Sequence, residues 1–246
     1  MLDELADLLL GACCPGCQRP GLGLCAGCRA AIDEPARWAR DLGGAGRLTG
    51  RVASAGDYRD PLRNLLSAHK DRGAWSLAPV LGARLALAVR LAASLAERDS
   101  CPDAPPLLVP VPSSPRQVRQ RGYDHGVVLA RQAAAVLRHE EGWGKISVLP
   151  ALRRVGSVAD QSGLGRIERF HNQVGSMRAR AARGRRQVIV VDDISTTGAS
   201  LAEAARALAE AGWSPVAGAV VAHPSRAPKH GPMAFEQFAE HPLNCL

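Results

Sequence analysis

Aromatic side chains are scarce in this chain of 246 residues: four Trp, three Phe and two Tyr, 4% in all. A surface that grips bare nucleobases normally needs aromatic platforms, so their shortage argues against a dedicated stacking protein. Long uncharged apolar runs are missing too. The most apolar long stretch, Ala74 to Ala96, carries Arg84 and Arg90 and reads as a core helix rather than a bilayer span. A secretory leader is not expected: "LGAC" resembles a lipoprotein cleavage box, but Asp3, Glu4 and Asp7 stand where such a leader is basic. The expectation is a cytoplasmic protein with reduced thiols and no membrane insertion. An acidic excess is also absent. The net charge of +8 suits an anionic partner, either phosphate-bearing small molecules or nucleic acid. The apolar share of 46% and charged share of 22% are those of a soluble globular protein. The length allows one sizeable core plus a small appendage.

Cysteine is unevenly spread. Of seven cysteines, five crowd into "CCPGCQRPGLGLCAGC". Cys14 and Cys17 make one C-x2-C pair, and Cys25 and Cys28 make another. Each pair forms a tight turn whose two thiolates can face one metal, and two turns complete a tetrahedron. Soft thiolates in a reducing compartment suit zinc first and an iron–sulfur cluster second. With four protein ligands there is no open position, so the metal is expected to be structural. Cys13 adjoins the set but lacks the spacing, and Cys101 and Cys245 stand alone.

Further along, "DEPARWARDLGGAGRL" reads as a linker, "RVASAGDY" as a strand, and "DPLRNLLSAHK" as a helix capped by Asp60 with Pro61 at its first position. A long helix over Ala74–Glu97 follows, then a short buried strand in "LLVPVP". "SSPRQVRQRG" reads as a basic loop, "VVLARQAAAVLRHEE" as a helix, and "ISVLPAL" as another strand. A polar, arginine-laden stretch from Arg153 to Arg186 precedes a strand, a helix over Ala199–Ala211 and the strand "SPVAGAVVA". Alternating strands and helices predict an α/β fold with a mostly parallel, doubly wound sheet. The expected organisation is a knuckle and linker over 1–48, the main domain over 49–224 and a peripheral tail over 225–246.

The most informative stretch is "VIVVDDISTTGAS", Val188 to Ser200. A buried strand runs into Asp192 and Asp193, then into Ser195, Thr196, Thr197, Gly198, Ala199 and Ser200, where a helix opens. In a parallel sheet this is the edge at which ligands sit. The helix N-terminus favours a phosphate, Gly198 lets backbone approach it, and the hydroxyls supply donors. No G-K-[ST] follows, so this is not a Walker loop. Two adjacent acids suit ribose hydroxyls, or a magnesium ion bridging them to a diphosphate.

This stretch resembles the phosphoribosyl-diphosphate (PRPP) signature of type I phosphoribosyltransferases. Three further blocks sharpen the likeness: "YRDPLRNLLSAHKDRG", "LVPVPSSPRQVRQRGYDH" and "LRRVGSVADQSGLGRIERFHN". With the four cysteines they resemble, in order, the ComF/GntX family, over roughly Cys14 to Val221. One departure is "RGYDH" in place of "RGFNQ". It sets Asp124 and His125 where amides are usual, so that Asp124 either weakens diphosphate binding or bonds to Arg121.

The resemblance implies a type I phosphoribosyltransferase-like fold, PRPP or ribose 5-phosphate as ligand, and magnesium with PRPP. Asp192 and Asp193 would serve the ribose. Ser113, Ser114, Arg116, Arg119 and Arg121 would cradle the diphosphate, with Lys70 as a second phosphate contact. Gln161, Arg166, Arg169 and Asn172 would belong to a mobile hood that excludes water. Two function classes follow: a magnesium-dependent phosphoribosyltransferase whose acceptor the sequence leaves open, or a non-catalytic PRPP sensor. In the second class, single-stranded DNA or competence proteins would be partners during DNA uptake.

Overall fold

A computed structural model describes residues 13–39, 46–95, 106–155, 174–184 and 186–225. Five strands form the central sheet: β1 (Arg37–Trp38), β2 (Val52–Ser54), β3 (Leu107–Pro110), β6 (Gln187–Ile194) and β7 (Ser214–Ala222). Their order is β1-β2-β7-β6-β3, parallel throughout except for the antiparallel edge strand β1. The near-continuous apolar runs of β3, β6 and β7 are what a strand covered on both faces requires. Two short strands, β4 (Leu152–Arg154) and β5 (Met177–Ala179), pair separately.

Helices cover both faces. On one side α2 (Leu62–Asp71), α3 (Ala78–Ala93) and α5 (His125–Leu137) bury an alanine- and leucine-rich core. On the other, α6 (Ala199–Glu210) packs with Leu48, Met177 and Trp213. The mixed α/β fold with a mostly parallel sheet is therefore as expected. Scarce aromatics leave alanine to fill the interior, so helices approach closely. At Gly82, in the middle of α3, a methyl group would collide with Cβ and backbone of Gln132 on α5. Among the described residues, Trp75–Ala93 alone is long and apolar enough to cross a bilayer, and it is mostly buried in the core.

Adjacent strands β3 and β6 send their chains to opposite faces. After β3 the chain enters α4 (Pro115–Arg121) and α5 on one side; after β6 it enters α6 on the other. Their carboxyl ends thus form the topological switch point, where a crevice opens.

Several local expectations change. Asp60 does not cap α2: its carboxylate receives Nε and an Nη of Arg63 at 3.0 and 2.8 Å, a bidentate pairing that takes its oxygens from the helix amides. The basic loop is a helix, α4, capped by Ser114 on Gln117 N–H and ended by Gly122 in the left-handed region. The linker contributes β1, because two residues suffice to pair with β2 and Arg37 anchors on Asp57. Of "ISVLPAL" only Val148 bridges to β3, and the regular strand β4 begins at Leu152. The long helix starts at Ala78, after a 3-10 turn over Trp75–Leu77. His223 is buried and bridges to Asp57, just beyond the end of β7. The tail from residue 226 onward lies outside the described residues.

One buried ion pair gives a stability test. Glu203 on α6 accepts from Arg206 Nε at 2.7 Å and from Met177 N–H at 2.9 Å. Burial pushes its carboxyl up, but these hydrogen bonds outweigh burial and hold it below its ordinary value. A carboxyl lowered in the folded state stabilises above its unfolded pKa of about 4.3, and that contribution is lost as pH falls through the folded value. Arg206→Ala should therefore cost on the order of 3 kcal/mol at neutral pH in urea unfolding, and less below about pH 4. Gly82→Ala should cost about 1–3 kcal/mol although alanine is the better helix former; an unchanged midpoint would mean that the helices are not in close contact.

Candidate phosphate and metal sites

The four-cysteine module comes first in the chain. Cys14 and Cys17 sit on a turn, and Cys25 and Cys28 on the start of α1 (Ala26–Ala31). Their four Sγ atoms lie within 4.8 Å of one another, with Cys17 and Cys25 Sγ 3.7 Å apart. A tetrahedral zinc with sulfur at about 2.3 Å requires sulfurs about 3.8 Å apart, so the set fits. Backbone N–H of Cys25 donates to Cys14 Sγ, and that of Cys28 to Cys25 Sγ, each at 3.4 Å. Burial would push the Cys14 thiol up, but the amides of Cys25, Cys17 and Gly16 bring it down to about 6. Burial and the surrounding sulfurs push Cys28 up. Crowded sulfurs that resist common ionisation call for a cation between them. Gly16 is required here: a Cβ at this position would lie 2.8 Å from Cys28 Sγ. Cys13 is outside the cluster, with its Sγ 3.6 Å from Gln18 Oε1. The four cysteines can hold a structural metal such as zinc.

The second site opens at the switch point as a cavity of about 330 Å³. Asp192, Asp193, Thr196 and Ser200 line it from β6 and the loop before α6; Lys70 comes from α2, Ser113 from the loop after β3, and His125 from α5. Lys70 Nζ and His125 Nε2 each lie 3.1 Å from Asp193 Oδ2. His125 Nδ1 is 3.1 Å from Ser113 Oγ. Asp193 is 4% exposed, so its charge needs these partners. Burial pushes the Asp193 carboxyl up, but the His125 hydrogen bond and the Lys70 charge outweigh it and hold it below the usual carboxylate range. Asp192 is half-buried; burial and the neighbouring Asp193 push it well above that range. The two acids are therefore unequal. Both line the cavity, but Asp193 is clamped by Lys70 and His125, whereas Asp192 accepts from Asp193 N–H at 2.9 Å.

The remaining predicted residues divide. Gly198 has φ of +84° and ends the loop directly before α6, whose first residue is Ala199. Thr197 Oγ1 turns back onto Ala199 N–H at 3.3 Å, and Ser195 is buried with its carbonyl 2.8 Å from His223 Nδ1. Ser114 caps α4, on which Arg116 and Arg119 are exposed away from the cavity lining. Arg121 donates to Asp71 at 2.8 Å and reaches His125 Nδ1 at 3.5 Å. Asp124 does not bond to Arg121: it caps α5 through Gly126 and Val127 and accepts from Ser113 N and Oγ. Gln161, Arg166, Arg169 and Asn172 lie outside the described residues. His125 and Arg154 are the residues that sequence reasoning missed. Arg154 lines the cavity while Nε holds Pro112 O at 2.9 Å. The only signal for His125 was its unusual place in "RGYDH", and nothing there pointed to Asp193. The chain matches no protein-family model, and no curated protein matches it.

Metal analysis of the purified protein is expected to find about one zinc per chain, lost in Cys17→Ser and Gly16→Val and kept in Cys13→Ser. Loss of metal in Cys13→Ser with retention in Cys14→Ser would reverse the assignment.

Proposed function

We propose that this chain is a PRPP-binding protein of the ComF/GntX type, with zinc in the cysteine module, acting as a magnesium-dependent phosphoribosyltransferase. The observation that carries this reading is the meeting, in one polar cavity, of the acid pair, the hydroxyl loop at a helix N-terminus and a lysine from another element. The loop Thr196–Ser200 and the amide end of α6 suit the terminal phosphate of PRPP. Asp192 suits the ribose hydroxyls, and Lys70 and Ser113, in the same lining, suit the diphosphate. Magnesium fits the donor set: Asp192 would hold it beside Asp193, and when bound it would neutralise the leaving diphosphate.

Departure of diphosphate leaves positive charge on the ribose, so a fixed carboxylate nearby lowers the barrier. Lys70 and His125 hold Asp193 in place and spare the chain a reorganisation when that charge develops. The exposed Arg116 and Arg119 support the second reading, single-stranded DNA handling without turnover, since both are available to a phosphate backbone.

The two aspartates should respond differently to loss of charge. Asp192→Asn should keep the thermal midpoint and weaken magnesium-dependent PRPP binding by about tenfold or more, measured by calorimetry. Asp193→Asn should lower stability on the order of 3 kcal/mol, because Lys70 and His125 lose their buried partner. Gly198→Val places a β-branched residue at a positive φ and should weaken both PRPP and ribose 5-phosphate. If Asp192→Asn and Gly198→Val both fold and bind PRPP like the parent, the reading fails.

A further inference from the structure

A second cavity, of about 690 Å³, opens at the other end of β6. Its apolar lining includes Leu107, Leu149 and Trp213, and its polar lining includes Arg180, Arg183 and Arg186, with no acidic residue. None of these three guanidinium groups has a hydrogen-bond or ion-pair partner among the described residues, whereas Arg37, Arg84, Arg121 and Arg206 are all paired with acids. The backbone that carries the arginines is held in place. Arg180 N–H donates to Ala151 O at 2.8 Å, Trp213 Nε1 donates to Arg180 O at 2.7 Å, and Ala182 N–H donates to Ala211 O at 2.8 Å. Ser214 N–H donates to Arg186 O at 3.0 Å.

An apolar floor under unpaired arginines selects a ligand with a flat apolar body and a strongly anionic end. The volume lies within the range of small-molecule pockets, about 300–1,000 Å³. Guanidinium forks match phosphate oxygens in pairs. Trp213 is only 8% exposed and its indole N–H is committed, so it serves as a wall and not as an open stacking platform. That favours a small molecule lying in the cleft over a stacked nucleic-acid strand. We propose that this cavity is an accessory binding site for a nucleoside phosphate, with the base on Leu107 and Leu149 and the phosphate among Arg180, Arg183 and Arg186.

The site is remote from the acid pair. Arg186, just before β6, and Asp192 are six positions apart, about 20 Å at 3.3 Å per residue, so a ligand here cannot react with one held by Asp192. It acts as an effector, or as a ligand in its own right, and the inference does not depend on PRPP binding.

Titration of the full-length protein with AMP, followed by calorimetry and tryptophan fluorescence, tests the proposal. Saturable binding below about 1 mM is expected, with inorganic phosphate at least tenfold weaker. The Arg180→Ala/Arg183→Ala variant, altered only at exposed positions, should keep the parental thermal midpoint and bind AMP at least tenfold more weakly. Gly198→Val should bind AMP like the parent. Undiminished AMP binding in the arginine variant, or its loss in Gly198→Val, would place the nucleotide elsewhere and overturn the proposal. So would phosphate binding as tightly as AMP, absence of saturable binding, or a dT oligonucleotide binding through the same arginines where AMP does not.

Discussion

The buried carboxylate of Asp193 is the point on which the candidate site rests. It is nearly out of contact with water, and an uncompensated charge there would cost several kcal/mol. Lys70 and His125 compensate it from two different helices, so one carboxylate ties α2, α5 and β6 together. The constraint spreads outward. Asp124, the residue before His125, caps α5 and grips Ser113, which sets the loop after β3. Tyr123 O–H donates to His69 O at 2.6 Å and Arg121 pairs with Asp71, so the turn between α4 and α5 is bound to the end of α2. Unequal acids are the chemical consequence: one carboxylate is held by Lys70 and His125, and its neighbour in the same cavity is bonded to neither.

The same helix, α2, connects the two sites. Its Asn64 Nδ2 donates to Gly16 O at 3.0 Å, inside the first cysteine turn, while six residues later Lys70 meets Asp193. Arg84, buried on α3, bonds to Asp33, to the carbonyl of Glu34 and to the carbonyl of Ala55, joining the exit of the cysteine module to the end of β2. A metal-stabilised module is therefore docked on the element that carries a site lysine. Ile32 belongs to the first core, and Ala39 and Leu48 to the second, so the described residues on both sides of 40–45 pack against the body of the fold.

Much of the architecture was legible because its signals are local. Apolar runs of the β6 and β7 kind can only be strands covered on both faces, and helices between them leave a parallel sheet as the economical arrangement. C-x2-C pairs encode their own turns, and the four sulfurs converge as their spacing demands. The glycine of "TTGAS" takes a positive φ, a conformation that glycine reaches without the steric cost of a Cβ. Misreadings fell where two local rules competed. Asp60 is a good cap residue, yet Arg63 three positions on offers a bidentate partner. The run "SSPRQVRQRG" is charged enough to pass for a loop, yet Ser114, Pro115 and Gly122 are cap, first-turn proline and left-handed stop.

By itself, the sequence determined the α/β class, the cysteine cluster, the place of the acid pair at the end of a buried strand and the basic character of the chain. Each depends on spacing within a few residues or on composition. Only the tertiary structure decided which acid is clamped, because that turns on Lys70 and His125, which lie 123 and 68 positions from Asp193 in the chain. It also decided that Arg121 serves Asp71, and that Arg116 and Arg119 face solvent. It alone gathered Arg180, Arg183 and Arg186 around an apolar floor contributed by β3 and the approach to β7. A side chain's charge is written in the sequence, but its partner is whichever opposite charge or carbonyl the fold brings within about 3 Å, and long-range packing sets that.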